Sequence, residues 1–444
     1  MSKIEVRAVG GYSEVGRNMT AIKIGDEVIL LDMGLQLDNY IKVEDEREAS
    51  EIVSTEQLIK ANAIPNDSTI NDWKDKVKLI ICTHAHLDHL GAIPYLAKNY
   101  DCPVLGTPYT IEVLKTILQD NKLQLKNQLK QLNKNAKYKL SKDITIEFFS
   151  VTHSTPQTVL IAIHSSAGVI LYANDFKFDM FPVMEKKSNV ENLQQLKNVK
   201  LLIVDSLYAE ESKKMPGERV AKAMLKDVLL GTANQGKAII ITTFSSHLAR
   251  LSSIIKYAKE LNRNILFVGR SLAKYVEAGH NVNLINWKED IKILKYGNEI
   301  KRKFKKISKE KDKYVVVVTG HQGEPRAVLS RIAKGDLPLE IEEGDHVIFS
   351  SNIIPVDINI KNREKLEKLL AQKGARIFKD IHVSGHGAKE DLRDLIEYTK
   401  PLHVIPTHGD KNKLNALAKL AKELGYSLGK TVHILKNGQK INID

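Results

Sequence analysis

The sequence predicts an α/β protein of two units, the first of which sets metal-competent side chains at the carboxyl ends of buried strands. Val77 to Thr83 is a near-continuous apolar run, the pattern of a strand covered on both faces, and it delivers His84, His86, Asp88 and His89 within six positions. Further apolar runs, Ile144 to Val151, Val169 to Ala173 and Leu201 to Val204, lead to His153, Asp175 and Asp205. From about Glu210 to Asp345 helical and short strand patterns alternate, the rhythm of a second α/β unit.

With 43% hydrophobic and 27% charged residues over 444 positions, the chain has the composition of a soluble globular protein with a sizeable core. The opening MSKIEVRAVGGYSEVGRN lacks an apolar secretory core, and no apolar run approaches the ~18–20 residues that span a bilayer. The expected location is therefore cytoplasmic, with no membrane contact. Only Cys82 and Cys102 occur, which excludes a disulfide scaffold; Cys82, inside the apolar strand, reads as a small buried hydrophobe. A formal net charge of +13 suits a polyanionic partner through phosphate neutralisation, although scattered lysines are equally a solvated face.

In chain order, Glu5 to Gly34 reads as strands broken by turns at Gly10-Gly11 and Gly25-Asp26. Asp32 closes the run Val28 to Leu31, either as a turn former or as a carboxylate that orients a ligating His. Asp38 to Asp75 has no clear period and is expected to be a loop-rich excursion. His84 and His86, two apart in extended backbone, point the same way, while Asp88 and His89 fall where Gly91 and Pro94 signal a turn into helix. A tier of His nitrogens suits zinc, and a carboxylate beside a further His allows a second ion. Two ions ~3.5–4 Å apart clamp the attacking and leaving oxygens of a phosphoryl displacement.

Beyond that motif, Ala92 to Lys98 is predicted as a short helix, Pro103 to Leu105 as a strand and Ile111 to Leu132 as one amphipathic helix. Near the end, strands at Ala375 to Ile377 and His382 to Ser384 precede Ser384-Gly385-His386-Gly387, and a strand at Leu402 to Ile405 precedes Pro406-Thr407-His408-Gly409. A helix is expected after each. Small residues around a His at a strand-to-helix junction let a phosphate approach backbone N–H groups; taken singly, each is as readily a tight turn.

HxHxDH after an apolar strand resembles the metallo-β-lactamase superfamily. The resemblance implies an αββα sandwich with metals at one sheet edge, in which Asp32, His153 and Asp175 match further motifs. Strands of that sandwich are expected to resume at Val347 to Ser350, making the second unit an insertion: 1–208 and 346–444 form the sandwich and 209–345 the inserted domain. This arrangement resembles the β-CASP family of nucleic-acid-processing nucleases, whose motifs A, B and C are matched by Asp205, His386 and His408. Thr319 to Ala333, TGHQGEPRAVLSRIA, looks like a stretch of ribonuclease J, and the stop soon after motif C resembles the archaeal type.

That likeness implies a zinc-dependent 5′-to-3′ exoribonuclease acting on single-stranded RNA with a 5′-monophosphate. It implies two zinc ions, with Mn or Mg as substitutes or additions: one on His84, His86 and His153, the other on Asp88, His89 and His408, bridged by Asp175. His386 would meet the phosphoryl oxygens or the leaving group, and Asp205 would steady it. Ser245, Ser246, Arg270, Ser384 and Gly385 would join His386 around the RNA and its 5′-phosphate; serines before a helix are also common N-caps. The Lys- and Arg-rich run Lys295 to Lys313 is either a phosphate track or a solvated face. The family further implies a homodimer, RNA-decay partner proteins and tolerance of DNA; an endoribonuclease of the polyadenylation-factor type and a small-molecule metallohydrolase are the competing activities.

Overall fold

The computed structural model describes residues 3–46, 53–354 and 357–443. By internal contacts the chain forms two units: Met1–Met180, Lys187–Met215 and Gly385–Asp444 make the first, and Phe181–Lys186 with Pro216–Ser384 the second. The first begins with β1 Ile4–Gly10, β2 Met19–Ile24, β3 Glu27–Leu31, β4 Val77–Ile81, β5 Val104–Gly106, β6 Leu129–Gln131, β7 Lys137–Lys139, β8 Thr145–Ser150, β9 Val159–Ser165, β10 Gly168–Ala173 and β11 Val199–Asp205. The second contains β12 Ile239–Thr242, β13 Asn264–Val268, β14 Ile291–Leu294, β15 Tyr314–Val318, β16 His346–Phe349 and β17 Arg376–Phe378, and the chain then returns to the first with β18 His403–Thr407 and β19 Lys440–Ile443.

The first unit has two mixed sheets, ordered β19-β1-β2-β3-β4-β5-β6 and β18-β11-β10-β9-β8-β7. Their strands alternate side chains into one shared core, where Val6, Ile22, Ile29 and Ile81 of one sheet join Phe148, Ile161, Ile170 and Ile203 of the other. The second sheet's outer face, with Leu160, Leu171 and Val204, is covered by Leu392, Leu395 and Ile396 of helix Lys389–Thr399 and by Leu417 and Leu420 of helix Lys411–Glu423. Helix Pro108–Asp120 packs on β5 and β6 of the first sheet. Two helix layers thus enclose two sheets.

The second unit is a six-stranded sheet, β14-β13-β15-β12-β16-β17, parallel at every pairing. The sandwich was expected to resume at residue 346, but β16 pairs with β12 and β17 with β16, so both belong to the insertion and the first unit resumes only at Gly385. A fully apolar run fits any buried parallel strand, and nothing in its pattern names its sheet. His382 to Ser384 forms no strand. Buried Arg250 organises this region: it holds Glu218 at 2.6 and 3.0 Å and donates to the Ser350 carbonyl at 2.9 Å and the Ile381 carbonyl at 3.0 Å.

Two other expectations change. Residues 38–75 carry helix Leu37–Glu46, helix Thr55–Lys60 with a Ser54–Gln57 capping box, and the 3-10 segment Asp67–Lys76; residues 47–52 of that stretch lie outside the described residues. The predicted helix Ile111 to Leu132 ends at Asp120, since Lys122 adopts φ 54° and the chain turns out into β6.

The chain's last segment is fastened to its first strands. β19 pairs antiparallel with β1; Asn437 accepts from the Tyr12 N–H at 3.0 Å and donates to Glu14 at 2.6 Å. Glu5 on β1 lies opposite Lys23 of β2, with Nζ to Oε1 at 2.6 Å, and also pairs with Lys440 of β19. Hydrogen bonds from Lys23 and then Lys440 hold the Glu5 carboxyl down to about 2. A carboxylate depressed in the fold stabilises it above the ordinary carboxylate value near 4.5 and loses that contribution as pH falls toward about 2. Glu5→Gln is therefore expected to lower the melting temperature at pH 7 and to melt closer to the unsubstituted protein at pH 3.5, as followed by circular dichroism.

Candidate metal centre

Parallel strand directions bring the side chains of the site to one end of the sandwich, just past carboxyl ends. Asp32 follows β3, His84 to His89 follow β4, His153 follows β8, Asp175 follows β10, Asp205 ends β11 and His408 follows β18. His386 comes from the turn before helix Lys389–Thr399. Asp32, Asp175 and His408 take φ of 60°, 56° and 54°, the left-handed region that side chains avoid, so the sheets hold strained backbone where these groups leave the strands.

Two donor sets form. His84, His86, His153 and Asp175 present ligand atoms within 4.8 Å of one another, as do Asp88, His89, Asp175 and His408. In the first, His86 Nδ1 is 3.1 Å from both His84 Nε2 and His153 Nε2, and Asp175 Oδ2 is 3.4 Å from His84 Nε2. In the second, His89 Nε2 is 3.2 Å from Asp175 Oδ2 and 3.5 Å from Asp88 Oδ2, with His408 Nε2 3.8 Å from Asp175 Oδ1. Asp175 serves both sets. Asp205, His386 and His408 make a third group, with His386 Nε2 3.6 Å from Asp175 Oδ2.

The ring nitrogens turned away from this focus are each held. Asp32 takes His89 Nδ1 at 2.8 Å, and Asp205 takes His386 Nδ1 at 2.7 Å. The Gly385 carbonyl takes His153 Nδ1 at 2.9 Å, and Asn18 Oδ1 takes His408 Nδ1 at 3.0 Å. Thr83 Oγ1 bridges His84 Nδ1 and Asp32 at 3.0 Å each, while Tyr172 donates to Asp32 at 3.2 Å. Each partner leaves the opposite nitrogen facing the focus, the way proteins orient metal-bound imidazoles. Of these holders Asn18, Thr83 and Tyr172 escape sequence reading, because an amide or hydroxyl inside a strand or turn carries no signal of its own.

Close backbone approach is built in. A Cβ on Gly34 would lie 1.6 Å from the Asp88 carbonyl oxygen, and one on Gly385 would lie 2.8 Å from His153 Nδ1.

The electrostatics suit cations. Burial, reinforced by neighbouring histidines, holds His86 and His153 well below the ordinary imidazole range, and burial lowers His84, so their lone pairs stay available. Burial opposes charge on Asp175, yet His89, His386 and His408 hold it well below the usual carboxylate range. Against the same opposition, Asp175, Asp88 and Asp32 raise His89, and Asp175 and Asp205 hold His386 up to about 9. Asp175 Oδ1 is buried without a hydrogen-bond donor. A buried carboxylate oxygen amid converging imidazole lone pairs is the chemistry of a divalent-cation site, and mixed N and O donors fit zinc or manganese.

Of the residues expected around RNA, Ser245, Ser246, Arg270 and Ser384 belong to the second unit. Ser245 and Ser246 follow β12, Arg270 opens helix Arg270–Asn281 after β13, and Ser384 ends the second unit, whose parallel strands point all their carboxyl ends one way. Helix Leu248–Glu260 starts at His247 without a side-chain cap, so neither serine is its N-cap.

A two-sheet sandwich flanked by helices, with His and Asp donors at one end, is the metallo-β-lactamase class of hydrolase, here carrying a β-CASP insertion. Residues 59–241 match the family described as "Beta-lactamase superfamily domain", 236–368 "Ribonuclease J, beta-CASP domain" and 373–435 "Zn-dependent metallo-hydrolase RNA specificity domain". The chain belongs to the ribonuclease J family. It is 43% identical to Ribonuclease J of Methanocaldococcus jannaschii over all of this chain and 99% of the relative, and 39% identical to that of Pyrococcus abyssi over all of this chain and 98% of the relative. With Ribonuclease J2 of Bacillus subtilis it shares 30% over 95% of this chain and 72% of the relative. A crystal structure of a protein of unknown function from Enterococcus faecalis shares the fold, with TM-score 0.66 and 18% identity over 99% of this chain and all of that one.

Asn18→Leu removes the acceptor that turns His408 Nε2 inward. It is expected to weaken metal binding ~10–100-fold, measured by chelator competition with metal analysis, while Asn18→Asp, which keeps the acceptor, retains most of it.

Proposed function

We propose that this metal-dependent ribonuclease is a zinc-dependent 5′-to-3′ exonuclease that shortens single-stranded RNA from a 5′-monophosphate end. The observation that carries the reading is the pair of donor sets sharing Asp175, because two adjacent cations suit in-line displacement at a phosphodiester. His84, His86 and His153 would hold one ion and Asp88, His89 and His408 the other, with Asp175 between them. When bound, the ions supply a water whose pKa is lowered toward ~7 and an electrophilic clamp on the phosphoryl oxygens.

The remaining work belongs to side chains. Asp205 fixes His386 through Nδ1 at 2.7 Å, leaving Nε2 to face a phosphoryl oxygen or to pass a proton to the departing 3′ oxygen. Asp32, Thr83 and Asn18 keep the ligating rings in the productive tautomer. Ser245, Ser246, Arg270, Ser384 and Gly385, with His386, would recognise the RNA and its 5′-phosphate through hydroxyls, N–H groups and one guanidinium. We place the enzyme in the cytoplasm as a homodimer, with partner proteins of RNA decay and with DNA as a secondary substrate. Among the described residues no helix is long and apolar enough to cross a membrane.

Three substitutions separate the roles. Asp175→Ala is expected to abolish hydrolysis with the fold kept. His386→Ala is expected to keep both metals and lose ~10²–10⁴-fold in single-turnover rate, while His408→Ala loses metal as well. Circular dichroism, single-turnover kinetics and metal analysis read these out, and a His386→Ala protein that loses metal while His408→Ala keeps it reverses the assignment.

Direction is tested with RNA labelled at either end. A 5′-monophosphate strand should release labelled mononucleotide from its 5′ end at once, a 5′-triphosphate strand should react more slowly, and a circular RNA should survive. Cleavage of the circle would favour the endonuclease reading.

A further inference from the structure

Residues 121–143 hold seven lysines, Lys122, Lys126, Lys130, Lys134, Lys137, Lys139 and Lys142, against one acid, Asp143. The segment therefore carries a net +6 of the chain's +13 in 23 residues. The run Lys295 to Lys313 is also strongly basic but includes Glu299, Glu310 and Asp312, whereas no acid interrupts the lysines from Lys122 to Lys142. The segment includes β6 and β7, each the edge strand at one side of one of the first unit's two sheets, with β19 and β18 at the opposite edges.

Alternation decides which side chains look outward. Leu132, Tyr138 and Leu140 pack against the core between the sheets, whereas Lys137 and Lys139 on either side of Tyr138 are exposed. Before β6, Lys122, Gln124, Lys126 and Gln128 are exposed while Leu123, Leu125, Asn127 and Leu129 are half-buried. From Lys122 to Lys139 the exposed positions thus carry Lys, Gln and Asn, and no carboxylate. Neighbouring acids meet the segment at Glu147, 3.4 Å from Lys137 Nζ and also engaged by His164 at 2.8 Å, and at Glu27, which accepts from Ser141 Oγ at 2.7 Å. Lys130 Nζ donates to Tyr138 at 3.1 Å, linking the edge of one sheet to that of the other.

The band starts at the metal end. β6 runs parallel to β5, and β5 to β4, so its carboxyl end faces the way His84 leaves β4, two strand spacings or roughly 10 Å across. In the turn between β6 and β7, Asn135 accepts from the Ser150 N–H at 2.9 Å, three residues before His153. From this turn the two edges lead away from the site with their lysines. Such a stripe neutralises successive phosphates, with amides to meet sugars and bases.

We infer that this paired sheet edge is an accessory binding surface for the part of a single-stranded RNA remote from the scissile bond. The inference rests on RNA being the substrate of the metal centre. A competing role is protective, since lysines on short edge strands prevent edge-to-edge association.

The test is a variant with Lys122, Lys126, Lys137, Lys139 and Lys142 each changed to Gln. Binding of a phosphorothioate-linked RNA of about thirty nucleotides is measured by fluorescence anisotropy across salt concentrations, with turnover followed on RNAs of about five and about thirty nucleotides. Each lost phosphate contact lowers the log–log salt slope by about 0.7, so the slope should fall by roughly 2 or more and low-salt affinity for the long RNA at least tenfold. Turnover of the short RNA should stay within about twofold. A folded variant with unchanged slope and affinity overturns the inference, as does one whose only change is self-association in sedimentation. If the unsubstituted protein degrades neither RNA, the ribonuclease reading fails by itself, while the salt slopes still decide whether the edge binds the strand.

Discussion

Everything at the site turns on the burial of one carboxylate. Asp175 is 1% exposed, sits at a strained left-handed position and stands within 4 Å of His84, His89, His153, His386 and His408. A negative charge so deep in protein is sustained only by compensating positive charge, whether imidazolium or bound cation. Asp175 belongs to both donor sets, so a bound cation and the protonated rings would compete for one stabilising centre. The outer ring of Asp32, Asp205, Asn18, Thr83 and Gly385 then fixes which nitrogen of each imidazole takes part.

Much of this was legible in the sequence because strand-end chemistry is local. An apolar run followed by HxHxDH specifies both a buried strand and what hangs from its end, and His153, Asp175, Asp205 and His408 repeat the arrangement. The structure brings all of them to one end of the sandwich, together with His386. What stayed hidden is non-local. Asn18 lies 390 positions from His408 in the chain, and no spacing rule connects an amide to an imidazole at such separation. Sheet membership was hidden for the same reason: Val347 to Phe349 reads as a buried strand, yet only its pairing with Ile240 to Thr242 says which sheet it joins. The helices between Leu37 and Lys76 were missed because their faces are mixed and short, held by caps and tertiary contact more than by periodicity.

The second unit shows another way of using buried charge. Arg250 and Glu218 are enclosed together, and the guanidinium spends its remaining N–H groups on carbonyls at Ser350 and Ile381. Breaking such a pair leaves an unmatched ion, so it secures geometry more than it adds stability. It fixes where the chain lies just after β16 and β17, on the approach to Ser384.

The insertion also orders events in time. Gly11, near the start of the chain, accepts hydrogen bonds from His408 and Thr407, and residues Pro216–Ser384 must be made between the two. As the polypeptide leaves the ribosome, β1 to β11 emerge with a sheet edge awaiting β18, while the whole parallel sheet of the insertion can collapse on its own. The last donors, His386 and His408, arrive after more than four-fifths of synthesis is over. A nascent chain therefore carries every donor of the first set and lacks only His408 of the second, together with His386, until the chain returns to the sandwich.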